Sequence, residues 1–249
     1  MVPADVAFAV LINRTSQYFT DHQPQYMTYT ERTHVTAPAV GRSQDINRSI
    51  AVRVADDFAV MKDLPNGGER TGQAFPIVSS FDAFSGFGFS WFANLKRVDI
   101  NVKPGPPWYY QLPPDDPSVN AVVAYFSYWA VTYATDSADD ALHLTIAPAP
   151  GYKYYFYPSD VVEDPQTQLP SHIEMRSNQS DEMMTFDYKV IEGHWVMTHA
   201  TWSATQHAFI FTSKVIADVT FDNIAFPTAA PDPRLAGTPV PTSAPSSTP

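Results

Sequence analysis

The chain has 249 residues, of which 44% are apolar and 16% are charged, and this length fits one large β-domain or two small domains. The formal net charge of −11 argues against binding of nucleic acid through its phosphate backbone. Because cysteine is absent from the sequence, disulfides, cysteine-ligated zinc, iron–sulfur clusters and cysteine nucleophiles are excluded.

A helix is predicted at the start of the chain, from residue 4 to about residue 19. Pro3 precedes it, and Asp5 lies where a carboxylate favours the positive end of the helix dipole. The apolar run at residues 6–12 is shorter than the ~20 residues of a membrane span, and no stretch of the sequence approaches that length. No basic residue precedes the run, as a signal peptide would require. We therefore predict a helix of the folded domain, and we presume that any signal peptide has been removed.

Period-two alternation after the helix predicts antiparallel strands. The early strands are predicted at residues 26–33, 46–54 and 58–61. Further strands are predicted at residues 96–102, 119–134, 141–147, 154–157 and 171–176, with proline-rich inserts at residues 104–117 and 148–170. The last third predicts a meander of long strands at residues 181–190, 194–205 and 207–226, in which Ile191-Glu192-Gly193 forms a tight turn.

A proline-rich tail ends the chain. Seven of the residues from 227 to 249 are proline, and Ser, Thr and Ala fill much of the rest. Such a segment buries too little apolar surface to offset its ordering entropy. We predict a folded domain over residues 1–226 and a disordered tail over residues 227–249.

The largest apolar feature lies between the early and late strands, at residues 75–92. Its large apolar side chains are Phe75, Ile77, Phe81, Phe84, Phe87, Phe89, Trp91 and Phe92. A second cluster follows that includes Tyr125, Phe126 and Trp129. Either these residues fill the concave face of a curved sheet as ordinary core, or they line an apolar ligand cavity and act as its lid.

The sequence predicts no catalytic or metal site. His194 and His199 lie five residues apart on one predicted strand, which would place them on opposite faces and disfavours a shared zinc ion. The GxSxG motif of serine hydrolases is absent. A hydrolase of unknown type is the weakest alternative, because it would need convergent polar groups such as His143, His199 and Asp187.

Three strand motifs near the end of the chain point to a known family. They are Leu169-Pro170-Ser171-His172-Ile173-Glu174-Met175, Met184-Thr185-Phe186-Asp187-Tyr188 and Val219-Thr220-Phe221-Asp222-Asn223-Ile224-Ala225-Phe226. With the order of elements, these motifs resemble the LolA/LolB-like lipoprotein carriers over residues 4–226 in outline. The resemblance implies an incomplete barrel that holds acyl chains in an apolar cavity, with residues 75–92 at the lid or plug position. It also implies a periplasmic or other extracytoplasmic location.

The predicted fold is mainly β (α+β), with a curved antiparallel sheet of about ten strands forming an open or half barrel around the helix and the apolar insert. The predicted function is non-catalytic binding or transport of a lipid or an acylated protein, without a cofactor. Membrane-associated proteins are the expected partner proteins. The alternative is a structural or protein-interaction β-domain whose aromatic residues form a fully packed core.

Overall fold

The computed structural model describes residues 4–73, 129–134, 142–148, 157–178, 180–208 and 211–237. Within these ranges the chain forms a helix, α1 (Ala4–Asp21), and eleven strands. The strands are β1 (Tyr26–Ala37), β2 (Arg42–Arg53), β3 (Phe58–Asp63), β4 (Glu69–Gln73), β5 (Trp129–Tyr133), β6 (His143–Pro148), β7 (Tyr157–Glu163), β8 (Pro170–Arg176), β9 (Met183–Ile191), β10 (His194–Ala208) and β11 (Phe211–Ala225).

All eleven strands belong to one antiparallel sheet in the order β4-β3-β2-β1-β11-β10-β9-β8-β7-β6-β5. The sheet is curved and does not close into a barrel, which confirms the predicted fold class. Two meanders, β1–β4 and β5–β11, are joined in the middle of the sheet where β1 pairs with β11. Strands β4 and β5 are therefore the two edges, and residues 74–128 connect one edge to the other.

The predicted turn between β9 and β10 is confirmed, and its backbone explains its sequence. Glu192 has φ 51° and Gly193 has φ 83°. Positive φ at both central positions is typical of a type I′ hairpin turn, whose twist matches the flanking strands, and glycine adopts positive φ without steric cost.

The main core lies on the inner face of the sheet. Alternate strand residues such as Ile50, Phe186 and Phe221 are buried there, together with Phe8 and Leu11 of α1. The alternation follows from the period of a β-strand, in which successive side chains point to opposite faces. The long amphipathic strands therefore make one continuous apolar surface, against which the helix packs.

One strand lies where the sequence predicts a loop. Strand β7, Tyr157–Glu163, falls inside the segment predicted as a proline-rich insert, and residues 154–156 of the strand predicted at residues 154–157 lie outside the described residues. Its pairing with β8 is irregular between Pro158 and Asp160, so the apolar period that would reveal the strand is interrupted. The strand predicted at residues 96–102 and the insert at residues 104–117 lie outside the described residues.

The disorder predicted from residue 227 onward is wrong for residues 227–237, which we call the strap. Leu235 is completely buried and packs with Tyr26 and Val60 in a second, small core. Val60 alternates along β3 with the core residues Ala59 and Met61, so the strap covers the outer face of the sheet. Disorder was predicted from the proline content of the segment, and proline content does not reveal that one leucine in it is buried. Residues 238–249 lie outside the described residues, and their disorder remains a prediction.

Buried Arg53, at the end of β2, fixes the strap in place. Its Nη1 donates hydrogen bonds to the carbonyl oxygens of Leu235, at 3.0 Å, and Gly237, at 2.6 Å. Its Nε and Nη2 bind both carboxylate oxygens of Asp56 at 2.8 Å. A guanidinium presents its donors in a planar fork, so one side chain can hold both the strap and the turn after β2.

Candidate functional site

The helix is anchored across part of the concave face. It packs against β5, at one edge of the sheet, and against β10, in the middle. Arg14 donates to the carbonyl oxygen of Gln168 at 3.0 Å and pairs with Glu163, which is half-buried. Tyr18 donates its hydroxyl hydrogen to the carbonyl oxygen of Gly193 at 2.9 Å. The half of the inner face between β10 and β5 thus has a fixed cover.

Aromatic residues reinforce the inner wall beneath this cover. Tyr188 and Trp195 stack with their ring centroids 4.2 Å apart, and the indole Nε1 of Trp195 donates to the carbonyl oxygen of Pro170 at 2.8 Å. On β1 and β11, beside the half of the face that α1 covers, Tyr29 meets Phe221 edge-on with ring centroids 5.7 Å apart. These contacts bury large apolar rings while giving the indole N–H a partner.

A charged row crosses the other half of the inner face, on β1, β2 and β3. Arg48 donates to Glu31 Oε1 and to Asp63 Oδ1, each at 3.0 Å. Glu31 aligns with core residue Phe221 across β11, which places the row on the inner face. The Glu31 side chain is only 7% exposed, so its charge depends on Arg48 for compensation. The apolar face is therefore bordered by fixed charges at this side.

The charged row also affects the neighbouring phenol. Burial, followed by the negative charges of Glu31 and Asp57, raises the pKa of the Tyr29 hydroxyl well above its ordinary value. Tyr29 is therefore neutral throughout the physiological range, and its ring serves the apolar wall.

Ten of the eleven predicted cavity or lid residues lie outside the described residues: Phe75, Ile77, Phe81, Phe84, Phe87, Phe89, Trp91, Phe92, Tyr125 and Phe126. Trp129 begins β5 and lies opposite Pro148 of β6. The prediction that these residues contact a ligand remains a prediction. The inner charged row was not predicted, because Glu31 and Arg48 lie on different strands of a hairpin and each resembles an ordinary surface residue of a strand.

The polar residues considered for catalysis lie on the outer face. His199 Nδ1 is 3.0 Å from Asp187 Oδ2, and His143 Nε2 is 2.8 Å from Asp160 Oδ1. His199 and Asp187 are thus in contact, while His143 belongs to a separate pair. In the described part of the chain, no group of three or more His, Cys, Asp or Glu side chains is arranged to hold a metal ion.

The parity argument that separated His194 from His199 is wrong. The pairing of β10 with β9 shifts by one residue between Met197 and His199. This bulge adds a residue to β10, so by register both histidines share a face with the alternating outer positions of β9. They do not form a site together, because His194 contacts the carbonyl oxygen of His22 instead.

No helix in the described ranges is long and apolar enough to cross a membrane. No protein-family model matches the sequence, and no curated protein matches it. Similar chains are found among solved structures. A DUF1329 family protein from Desulfovibrio piger is 12% identical, covers 92% of this chain and 95% of its own, and superposes with a TM-score of 0.39.

Two further solved structures match the chain at similarly low identity. A LolA superfamily protein from Nitrosomonas europaea is 10% identical, with 90% of this chain and 94% of that chain covered and a TM-score of 0.39. A domain named for outer membrane lipoprotein sorting, from Vibrio parahaemolyticus, is 12% identical, with coverages of 88% and 94% and a TM-score of 0.38. All three matches are distant, at 10–12% identity, and the Nitrosomonas europaea protein carries the family name that the sequence motifs predicted.

Proposed function

We propose that this protein is a non-catalytic carrier that binds a lipid, or the acyl chain of an acylated protein, against the inner face of its open sheet. The observation that carries the proposal is the connection between the two edges. Residues 74–128 join β4 to β5, and the most apolar segment of the sequence, residues 75–92, follows directly after the β4 edge of an unclosed sheet.

The inner face suits an apolar cargo. Its buried strand residues form one apolar cluster with α1, and α1 packs on strands of one half of the sheet. Transfer of an acyl chain from water to such a surface gains about 0.8 kcal/mol for each CH₂ buried. Burial of an acyl chain of roughly ten carbons therefore supplies the free energy of binding without a hydrogen bond or an ion pair. This fits the lack of a catalytic motif in the sequence.

Under this proposal, the aromatic residues of the 75–92 segment, with Tyr125, Phe126 and Trp129, contact the cargo. The charged row of Glu31, Arg48 and Asp63 borders the apolar wall on the side away from α1. The carrier works outside the cytoplasm and exchanges its cargo with membrane-associated proteins. These assignments rest on the sequence pattern and on the topology of the edges.

The first test is native mass spectrometry, with lipid extraction, on protein purified from its own host. We expect a co-purifying acylated molecule, and saturable binding of a fluorescent fatty-acid probe by the delipidated protein. A clean apoprotein mass without probe binding would favour the alternative, a structural or interaction domain with a packed core.

Aspartate substitutions separate cargo contact from folding. Phe84→Asp and Phe87→Asp should weaken probe binding by at least about tenfold, because a charged group at an apolar contact is costly to desolvate, while the melting temperature stays near that of the wild type. Ile216→Asp is the matched control, because Ile216 is 37% exposed and lies on β11 among outer-face residues. Unfolding of both phenylalanine variants, with Ile216→Asp intact, would show that these residues are core.

A further inference from the structure

Histidine and aspartate alternate across the middle of the outer face. From β8 to β11 the row reads His172, Asp187, His199 and Asp218. His172 Nδ1 lies 2.6 Å from Asp187 Oδ1, His199 Nδ1 lies 3.0 Å from Asp187 Oδ2, and His199 Nε2 lies 3.1 Å from Asp218 Oδ2. These three side-chain contacts thus link four adjacent strands, in addition to the backbone hydrogen bonds of the sheet.

The two contacts of His199 favour its protonated form. Each of its two ring nitrogens faces a carboxylate oxygen, and an ionised carboxylate only accepts hydrogen bonds. A neutral imidazole has one N–H and satisfies one of these carboxylates. The imidazolium has two N–H groups and satisfies both, so a proton on His199 lets its side chain bond to β9 and β11 at once, in addition to the backbone pairing of β10 with both strands.

Other charged groups around the row come from every neighbouring strand. On β8, Glu174 pairs with Arg176. On β9, Lys189 lies two residues from Asp187 and is exposed. Beyond Asp218, the β11 strand carries Asp222, which pairs with Arg32 of β1.

His34 of β1 is the remaining neighbour. It lies opposite Asp218 in register, and its Nδ1 is 2.5 Å from Asp45 Oδ1. The neighbouring carboxylates on β8, β11 and β2 thus each have their own partner. Asp187 and Asp218 are the carboxylates that His199 itself contacts.

We propose that His199 is a proton-operated tie across the sheet, which holds β9, β10 and β11 together when protonated and releases one of its two carboxylates when the proton leaves. After release, Asp187 and Asp218 face a neutral ring with a single donor. The inner-face neighbours of these residues, Phe186, Ala200 and Val219, belong to the core wall. Loosening the tie therefore weakens the strand contacts that form that wall.

The titration behaviour agrees with this geometry. Burial acts to lower the pKa of His199, but its hydrogen bonds to Asp187 and Asp218 outweigh burial, and the pKa is raised. Burial acts to raise the pKa of Asp187, but its bonds from His172 and His199 outweigh that, and the pKa is lowered. Between the pKa of Asp187 and that of His199, Asp187 is ionised and His199 is protonated, so the tie is complete. Its stabilising contribution is lost as the pH rises through the His199 pKa, and again as the pH falls through the Asp187 pKa.

The experiment is an NMR titration of the histidine rings in the full chain, combined with melting temperatures measured across the same pH range. We expect the His199 midpoint to lie above the ordinary value of ~6.5, and Asp218→Asn to lower it. The melting temperature should fall as the pH rises through that midpoint. His199→Gln should remove this fall, whereas His143→Gln, which breaks the separate pair with Asp160, should retain it.

Two outcomes would overturn the proposal. One is a His199 midpoint at or below the ordinary value in the wild type. The other is a melting-temperature profile of His199→Gln that runs parallel to that of the wild type across the wild-type midpoint. If His199→Gln fails to fold, Asp218→Asn decides the matter, because an amide in place of this carboxylate should lower both the His199 midpoint and the pH at which the melting temperature falls.

Discussion

Replacing Leu235 by alanine tests whether the strap is part of the folded domain. The substitution removes the three outer carbon atoms of a completely buried side chain that packs with Tyr26 and Val60. At about 0.8 kcal/mol for each carbon, the lost transfer free energy is about 2.4 kcal/mol. The cavity left behind adds to this cost where the strap cannot collapse into it. The loss of stability cannot exceed the free energy of docking the strap, because a strap that has detached locally no longer destabilises the sheet.

We therefore expect Leu235→Ala to lower the free energy of unfolding by about 2–3 kcal/mol in urea denaturation followed by tryptophan fluorescence. Leu64→Ala is the matched control, because the same atoms are removed from a side chain that is 40% exposed. The control should cost about 1 kcal/mol or less. Hydrogen exchange locates the effect, and the amides of β3 should exchange faster in Leu235→Ala. Equal stability of the two variants, with unchanged exchange in β3, would refute a docked strap and extend the disordered tail back to residue 227.

Two further predictions concern charges at the β1–β3 end of the sheet. Burial, followed by the charge of Asp56, raises the pKa of Asp57 to about 6, so ionised Asp57 disfavours the folded state, and stability should fall as the pH rises from about 4 to about 6. Asp57→Asn should therefore raise the free energy of unfolding at pH 7 by about 1–2 kcal/mol and change it little at pH 4, in urea titrations at both values; equal effects at the two values would contradict the cause. Arg48→Met should cost about 2–3 kcal/mol, because it leaves the buried Glu31 carboxylate without its partner. The double variant with Glu31→Gln should recover part of that loss, and strictly additive losses would show that the pair is not coupled.

Local pattern predicted most of the fold, for identifiable reasons. The helix and the strands at both ends of the chain have long amphipathic periods, and they lie at Ala4–Asp21, Tyr26–Ala37 and Phe211–Ala225. Strand β7 escaped prediction because its bulge breaks the period. The docking of the strap was not predicted because it depends on one leucine and on an arginine that is distant in the sequence, and overall composition does not show such single contacts.

The row of histidines and aspartates on the outer face was harder to predict from the sequence, because it depends on the register of the paired strands. His172, His199 and Asp218 look unrelated along the chain, and they meet only when the strands align. The bulge in β10 also invalidated the simple counting that placed His194 and His199 on opposite faces. The aromatic insert was recognisable from its composition, and it lies outside the described residues.

The pairing of β1 with β11 sets the order in which the molecule can assemble. Arg32 and Asp222 form an ion pair across this contact although 190 residues separate them. A ribosome therefore completes β1–β4 long before β11 emerges, and during that time the inner edge of β1 exposes its unpaired backbone groups to other chains. The long loop makes this contact slow to close, so the middle of the sheet forms last, although each half is built from neighbouring hairpins that form quickly. Until β11 is available, β1 is therefore an edge strand that needs protection from pairing with other chains.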